Sequence, residues 1–143
     1  MKYIVIVLLF FSVNVFGQNK TENDTVFELV SYEEMPEFKG GFEPMKKFID
    51  SVMVYPKIGI EKKIEGNVQV QFKVLSTGKL SNIKLARSFV TENTQVDSLI
   101  INQFDNEALR IIKLMPDWIP GKEFDKIVDV NKVTVPIKFK LNQ

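Results

Sequence analysis

The chain has 143 residues, 45% of them hydrophobic, with 19 basic and 18 acidic side chains. This suits one domain with a core and short extensions, and the near balance of charge without a basic stripe argues against a nucleic-acid partner. The absence of His and Cys excludes His-based catalysis, thiol nucleophiles, disulfides, and the zinc or iron–sulfur sites built on those ligands.

Residues 1–17 carry the three parts of a secretory signal peptide. One lysine supplies a positive charge, residues 3–11 (YIVIVLLFF) form an apolar region, and Val15 and Gly17 stand at positions −3 and −1 before Gln18. The apolar run is short for a membrane crossing, which takes about 20 residues. We predict a cleaved signal that exports the protein, with an uncleaved membrane anchor as the alternative.

Residues 18–34 lie between this signal and the folded domain. We predict a flexible lead here, in which residues 26–32 (VFELVSY) have the composition of a short strand or a loosely packed segment. The domain is predicted to span residues 35–143 and to open with a turn that contains Gly40 and Gly41.

A first helix is predicted after that turn. Pro44 suits its first turn, and Tyr55-Pro56 ends it, because the residue before a proline avoids the helical region. We interpret this pair as a structural helix stop. Apolar side chains recur at i, i+3, i+4 and i+7 and form one buried stripe: Met45, Phe48, Ile49 and Val52.

Two strands joined by a short turn are predicted next. Residues 67–75 (NVQVQFKVL) follow Gly66 and alternate apolar with polar side chains. Residues 76–78 have the length of a hairpin turn, in which Gly78 is available for a positive φ. A second strand continues to about Arg87, so we predict an antiparallel hairpin.

A second helix is predicted to begin at Asp105, which suits an N-cap, and to stop at Pro116. The preceding residues 88–103 are either an elaborated loop or contain a short helical piece. The apolar stripe of the helix consists of Ala108, Leu109, Ile112 and Met115.

A turn and a charged connection follow the second helix. The turn holds Trp118, Pro120 and Gly121, and residues 122–129 form the connection. We expect the indole of Trp118 to pack as core over the sheet edge, since a lone tryptophan beside a turn is usually structural.

The last stretch, residues 132–141 (KVTVPIKFKL), alternates strictly between apolar and polar side chains and predicts an amphipathic strand. Pro136 cannot donate to a strand ladder, so this is an edge strand. The predicted order is α-β-β-α-β, a two-layer α+β domain whose three-stranded antiparallel sheet carries two helices on one face. The edge strand either ends the sheet or docks another chain.

In this order and spacing, the motifs resemble the C-terminal domain of TonB, in the form common in Bacteroidetes. The likeness covers about residues 35–141. It rests on Pro36-Glu37-Phe38, Gly40-Gly41, Tyr55-Pro56, Ile64-Glu65-Gly66, Val68-Gln69-Val70, Phe72, Gly78, Glu107-Ala108-Leu109-Arg110, Met115-Pro116-Asp117-Trp118-Ile119-Pro120-Gly121 and Val135-Pro136-Ile137-Lys138-Phe139.

The resemblance implies a non-enzymatic periplasmic module without a cofactor or metal. Such domains capture the TonB box, a short extended peptide of an outer-membrane receptor, which adds as a strand beside the last strand of the sheet. By position, the implied partner-binding residues are Lys132, Thr134, Pro136, Lys138 and Lys140 on the last strand, with Ser51, Val52 and Met53 where the peptide crosses the domain.

The resemblance leaves open whether the protein is connected to the energy-supplying complex of the inner membrane. Family members are usually anchored in the inner membrane, work with ExbB and ExbD, and carry a long proline-rich spacer, whereas residues 18–34 contain no proline. The alternatives are a short inner-membrane-anchored transducer and a periplasmic scaffold unrelated to receptors. A hydrolase using Glu33, Glu34 and Glu37 is disfavoured, and a homodimer formed through exposed strand edges stays open.

The position of Pro136 also predicts which edge of the last strand is free. Alternate residues of a strand direct their N–H and C=O groups to opposite edges. We predict that the even-numbered residues face away from the sheet, because Pro136 then costs the sheet no internal hydrogen bond.

Overall fold

A three-stranded antiparallel sheet forms the centre of the domain, with strand order β2-β1-β5. The computed structural model describes residues 32–93 and 95–141. The elements in chain order are α1 (Phe42–Val52), α2 (Lys57–Glu61), β1 (Gly66–Val74), β2 (Leu80–Val90), α3 (Ser98–Lys113), β3 (Gly121–Glu123), β4 (Lys126–Val128) and β5 (Val130–Phe139).

The predicted α-β-β-α-β order and two-layer architecture are confirmed. β1 and β5 each have one buried and one more exposed side, as alternation requires, whereas the inner side of β2 is half-buried apart from the buried Phe89. Val68, Val70 and Phe72 of β1 are at most 1% exposed and face the helices, together with Ile137 and Phe139 of β5. The opposite face of the sheet is not covered by any described element.

The predicted signal at residues 1–17 and most of the predicted lead lie outside the described residues, as do residues 26–31 of the strand-like stretch. Near the N-terminal end of the described residues, Glu34 forms an antiparallel β-bridge with Lys122. Across residues 32–93 and 95–141, no helix has the length and apolar character needed to span a bilayer.

An aromatic cluster fills the core beneath one end of the sheet. The rings of Phe89 and Phe104 stack at 4.0 Å and 6°. Phe139 meets Phe104 edge-on at 4.9 Å, and Tyr55 meets Phe139 edge-on at 5.8 Å. This cluster joins β2, α3 and β5 to the segment after α1, so the end of the first helix is fixed against the end of the last strand.

Trp118 is buried in the core at 5% exposure. Its ring packs edge-on against Phe72 at 5.2 Å and against Phe38 at 6.1 Å. Its backbone N–H donates to the carbonyl oxygen of Gly78 at 2.8 Å, and a Cβ on Gly78 would lie 2.2 Å from the Trp118 carbonyl oxygen. Gly78, at φ 86°, is therefore required both by the hairpin turn and by this contact.

The prediction that Asp105 caps the second helix is wrong. The helix begins at Ser98, and the cap is Asp97, whose carboxylate accepts from the backbone N–H of Ile100 at 2.9 Å. Asp105 lies inside the helix, 5% exposed, and accepts from the backbone N–H of Phe89 at 2.7 Å and from the hydroxyl of Ser88. It is a buried anchor between α3 and β2.

Residues 122–129 contain a second, small hairpin in place of the charged connection expected there. β3 and β4 pair antiparallel, from Gly121 opposite Val128 to Glu123 opposite Lys126. The two residues at the tip, Phe124 and Asp125, have φ values of 48° and 60°. Positive φ at both central residues is typical of a type I′ turn, which normally uses Asn-Gly.

Candidate strand-docking site

The last strand, β5, lies at one edge of the sheet, and only β1 pairs with it among the described residues. The pairing runs without a register shift from Gly66 opposite Phe139 to Phe72 opposite Val133. A regular strand with one unpaired edge presents a continuous row of backbone donors and acceptors, which is the feature that strand addition uses.

The five residues predicted for partner binding on the last strand share one exposed side. Their side chains lie on the uncovered face of the sheet, and β1 places polar side chains beside them, with Gln71 opposite Thr134 and Gln69 opposite Pro136. The intervening residues Val135 and Ile137 are buried. All five are exposed: Lys132, Thr134, Pro136, Lys138 and Lys140.

It stays a prediction that the even-numbered N–H and C=O groups of β5 face away from β1. One hydrogen bond favours it. The N–H of Leu141 donates to Oε1 of Glu65 at 2.7 Å, and Glu65 immediately precedes β1. Leu141 is odd-numbered, so continuing the alternation back along the strand directs the odd-numbered groups toward β1.

The second predicted segment, residues 51–53, closes α1 and starts an extended linker. Ser51 is exposed and its hydroxyl donates to the carbonyl oxygen of Phe48 at 2.7 Å, while Val52 and Met53 are half-buried. Met53, with φ −64° and ψ 127°, ends the helix. The following Val54 is 65% exposed.

Two side chains of α3 hold the backbone of this linker. Glu107 accepts from the N–H of Val54 at 2.7 Å, and Nη2 of Arg110 donates to the carbonyl oxygen of Val52 at 2.6 Å. Arg110 also binds Glu107 through two donors, Nε at 2.8 Å and Nη2 at 2.7 Å. We call this pair the Glu107–Arg110 fork. The bond to Glu107 raises the pKa of Arg110.

The fork binds one backbone group on each side of the point where α1 ends. Arg110 binds the carbonyl of Val52, the last residue of the helix, and Glu107 binds the N–H of Val54, which follows it. Sequence reasoning missed the fork, because a Glu–Arg pair three residues apart is common on helix surfaces and says nothing about a target more than 50 residues away.

Tyr55 joins the two predicted segments at one end of the domain. Its ring packs on Phe139, the last residue of β5, and its hydroxyl donates to the carbonyl oxygen of Ile64 at 2.6 Å. Burial, with a smaller effect of Glu65, raises the pKa of this phenol. Lys138 and Lys140 lie at that end, whereas Lys132 lies about 20 Å away along the strand. The structure thus places the linker near only part of the predicted edge.

The other glycines and prolines predicted as structural positions lie at turns and element ends. Gly40 and Gly41 have positive φ before α1, and Pro56 is the N-cap of α2. Gly66 begins β1, and a Cβ there would lie 2.3 Å from the carbonyl oxygen of Val90. Pro120 precedes β3, which begins at Gly121.

Within residues 32–93 and 95–141, no group of three or more His, Cys, Asp or Glu side chains is placed to hold a metal ion. What the site does offer is a set of backbone hydrogen-bonding groups on β5 with an exposed row of side chains beside them.

Comparison with known proteins assigns the family. The model for the Gram-negative bacterial TonB protein C-terminal domain matches residues 51–141, which is more than half of the chain. The chain therefore belongs to the TonB C-terminal domain family, as its sequence motifs predict. Domains of this family are non-enzymatic, periplasmic-type modules of TonB-dependent transport that interact with TonB-dependent receptors.

Two similar solved structures are NMR solution structures of the Helicobacter pylori TonB C-terminal domain. The form with residues 179–285 is 22% identical, covering 69% of this chain and 78% of that chain, with a TM-score of 0.44. The form with residues 194–285 is 24% identical, covering 70% and 92%, with a TM-score of 0.43. Because these scores are low, the assignment rests on the family model. The comparison with curated proteins found no match.

Proposed function

We propose that this domain binds an extended peptide of an outer-membrane receptor, the TonB box, by strand addition along the outer edge of β5. The observation that carries the proposal is an outer edge without a pairing partner in residues 32–93 and 95–141, combined with regular pairing to β1 on the inner side. A peptide strand there would extend the sheet by one strand. Backbone hydrogen bonds would supply affinity, and side chains at alternate positions would supply specificity.

Residues 51–53 contribute to this site through side chains. The fork already binds the carbonyl of Val52 and the N–H of Val54, and a peptide cannot accept from that N–H without displacing Glu107. The half-buried side chains of Val52 and Met53 and the exposed side chain of Val54 are the parts of the linker that can contact a peptide.

The protein is proposed to act in the periplasm after export directed by residues 1–17. Cleavage would leave a binding module without a membrane anchor, whereas an uncleaved segment would make a short transducer able to work with ExbB and ExbD. The mature N-terminus, determined by mass spectrometry after cell fractionation, separates the two. A soluble protein starting at Gln18 supports the first, and a membrane-bound protein that retains residues 1–17 supports the second.

Strand addition is tested with pairs of methylated peptides. A TonB-box peptide from a receptor of the same cell is made with one backbone N-methyl group, placed at either of two adjacent positions. Only alternate amides of a docked strand face β5. One methylated peptide should therefore lose at least about tenfold in affinity, because it loses a hydrogen bond and gains a clash, while the other stays within about threefold.

The outcome is measured by isothermal titration calorimetry against the unmethylated peptide. Equal binding of both methylated peptides would show that backbone pairing is not used. A failure of every TonB-box peptide from that cell to bind would contradict the proposed function itself.

A further inference from the structure

The uncovered face of the sheet is strongly basic, although the chain as a whole is nearly neutral. The three strands β1, β2 and β5 contain no acidic residue. Their five basic residues all fall on the uncovered face, by strand register or by alternation along the strand: Lys73, Lys84, Arg87, Lys132 and Lys138.

Only one of these five charges is neutralised within the described part of the chain. Lys73 forms an ion pair with Asp129 at 3.0 Å. Lys84, Arg87, Lys132 and Lys138 make no ion pair with a residue in 32–93 or 95–141, and neither does Lys140, just beyond the end of β5. Among residues 32–93 and 95–141, the uncovered face therefore carries unbalanced positive charge.

We propose that the peptide docked on β5 carries acidic side chains at alternate positions, on the side of the strand that faces Lys132, Lys138 and Lys140. This inference rests on the proposed function and adds the class of peptide that the site selects. Side chains of an added strand would lie about 5 Å from those of β5 on the same face, close enough for cross-strand ion pairs.

The intervening residues of the same peptide are apolar. They would lie on the opposite side of the added strand, beside Val135, Ile137 and Phe139, which face the helices. The site therefore selects an extended peptide in which acidic and apolar residues alternate, with its acidic positions concentrated toward the end near Lys138 and Lys140.

A peptide fits these charges better than an anionic membrane does. A flat lipid surface would contact the whole uncovered face, whose centre consists of the polar side chains of Gln69, Gln71 and Thr134. Surface-binding elements insert apolar side chains among the headgroups, and this centre has none. Three of the unpaired lysines instead lie along the edge strand or directly after it.

The test uses the protein purified as the cell processes it and two ten-residue peptides. One alternates Glu with Val, and the other replaces every Glu by Gln. With three ion pairs, the Glu peptide should bind about tenfold more tightly at low salt, and this preference should shrink as salt is added. The double variant Lys132→Gln/Lys138→Gln should lose most of the preference while still binding the Gln peptide.

Lys84→Gln/Arg87→Gln is the matched control. It removes the same charge from the same face, but at β2, about 14 Å from an added strand, so the preference for the Glu peptide should persist. The inference is overturned if the wild-type protein binds both peptides equally, a result that leaves strand addition intact. If neither peptide binds, the inference fails, while the proposed function is contradicted only if the receptor's TonB-box peptides also fail to bind.

A third result would also overturn the inference. If the control pair of substitutions reduces the preference as much as the β5 pair does, the face attracts anions without regard to strand position. Binding to vesicles of anionic lipid but not of neutral lipid would then identify a membrane surface as the partner. Retained preference in the control, together with no difference between the two kinds of vesicle, supports the acidic peptide.

Discussion

The sheet has two outer strands, and they differ in regularity. β2 pairs with β1 through register shifts at three places, and Asn82 within it has a φ of 50°. β5 pairs with β1 through a single shift, between Phe72 and Val74. Bulges twist an edge away from incoming strands, so β2 is protected from further pairing while β5 keeps a long regular edge.

A second difference lies in what holds each strand in place. The C-terminal part of β2 is fixed to α3 by Asp105, which binds Ser88 and the backbone N–H of Phe89. The last strand is instead held by its ladder with β1 and by the buried side chains of Val135, Ile137 and Phe139. Among the described residues, the β2 edge is thus closed by local irregularity and side-chain anchoring, while the outer edge of β5 has no pairing partner.

The largest expected effect comes from removing the anchor of β2. Asp105→Ala leaves the buried N–H of Phe89 and the hydroxyl of Ser88 without their acceptor, so we expect a loss of about 2–3 kcal/mol in the free energy of unfolding. Asp105→Asn keeps one acceptor and should cost less. Urea denaturation measures both, and a loss below about 0.5 kcal/mol for the alanine variant would contradict the assigned role.

A smaller gain in stability is expected at a place that touches neither edge. Phe124 and Asp125 hold positive φ at the tip of the separate β3–β4 hairpin, and Phe124 is 78% exposed. Phe124→Asn combined with Asp125→Gly supplies the residues this turn prefers and should stabilise the domain by about 1–2 kcal/mol. Peptide affinity should not change. Thermal denaturation showing no gain would mean that the strain is relieved by other contacts.

A variant that restores a backbone N–H donor to β5 tests the difference between the two edges. If Pro136 faces outward, Pro136→Thr adds one N–H to the docking edge and should tighten peptide binding by about three- to tenfold. The thermal midpoint should change little, since no internal ladder bond is added. Calorimetric titration measures the affinity, and a large rise in stability without tighter binding would place Pro136 on the inner edge.

The smallest effect concerns acid stability at the start of β5. Asp129 accepts from the N–H of Ser76 at 2.7 Å and from Lys73, and these two interactions hold its pKa below the usual range. Because the pKa is lower in the folded protein than in the unfolded chain, the ionised carboxylate stabilises the fold at neutral pH. That contribution is lost as the pH falls through the folded-state pKa.

The measurement is a comparison of wild type and Asp129→Asn by denaturation across acidic pH. The variant should be slightly less stable at neutral pH, and the difference should vanish in acid. A difference that is constant with pH would show that the carboxylate charge is not responsible.

Much of the fold could be predicted from local patterns. The alternation in residues 67–75 and 132–141 locates β1 and β5, and the apolar stripe from Met45 to Val52 locates α1, whose residue Ile49 is buried. These patterns suffice because each reports which side of an element faces the core. The family motifs then set the order of the elements.

The rest depends on contacts that local patterns do not show. Asp105 has the residue type of an N-cap, but partners from β2 place it inside the helix. The β3–β4 hairpin lacks the Asn-Gly signal, because its turn uses Phe124 and Asp125. The Glu107–Arg110 fork acts on the backbone of Val52 and Val54 from another helix. Each miss is a tertiary contact that overrides a local preference.

Amide hydrogen exchange along β5, followed by NMR with and without a receptor peptide, tests the central claim most directly. In the free protein, the amides of Lys132, Thr134 and Lys138 should exchange quickly, while those of Val135 and Ile137 are protected by β1. Adding peptide should slow the first group without altering β2. Protection of the even-numbered amides in the free protein, or peptide-induced protection at β2 instead of β5, would contradict the account.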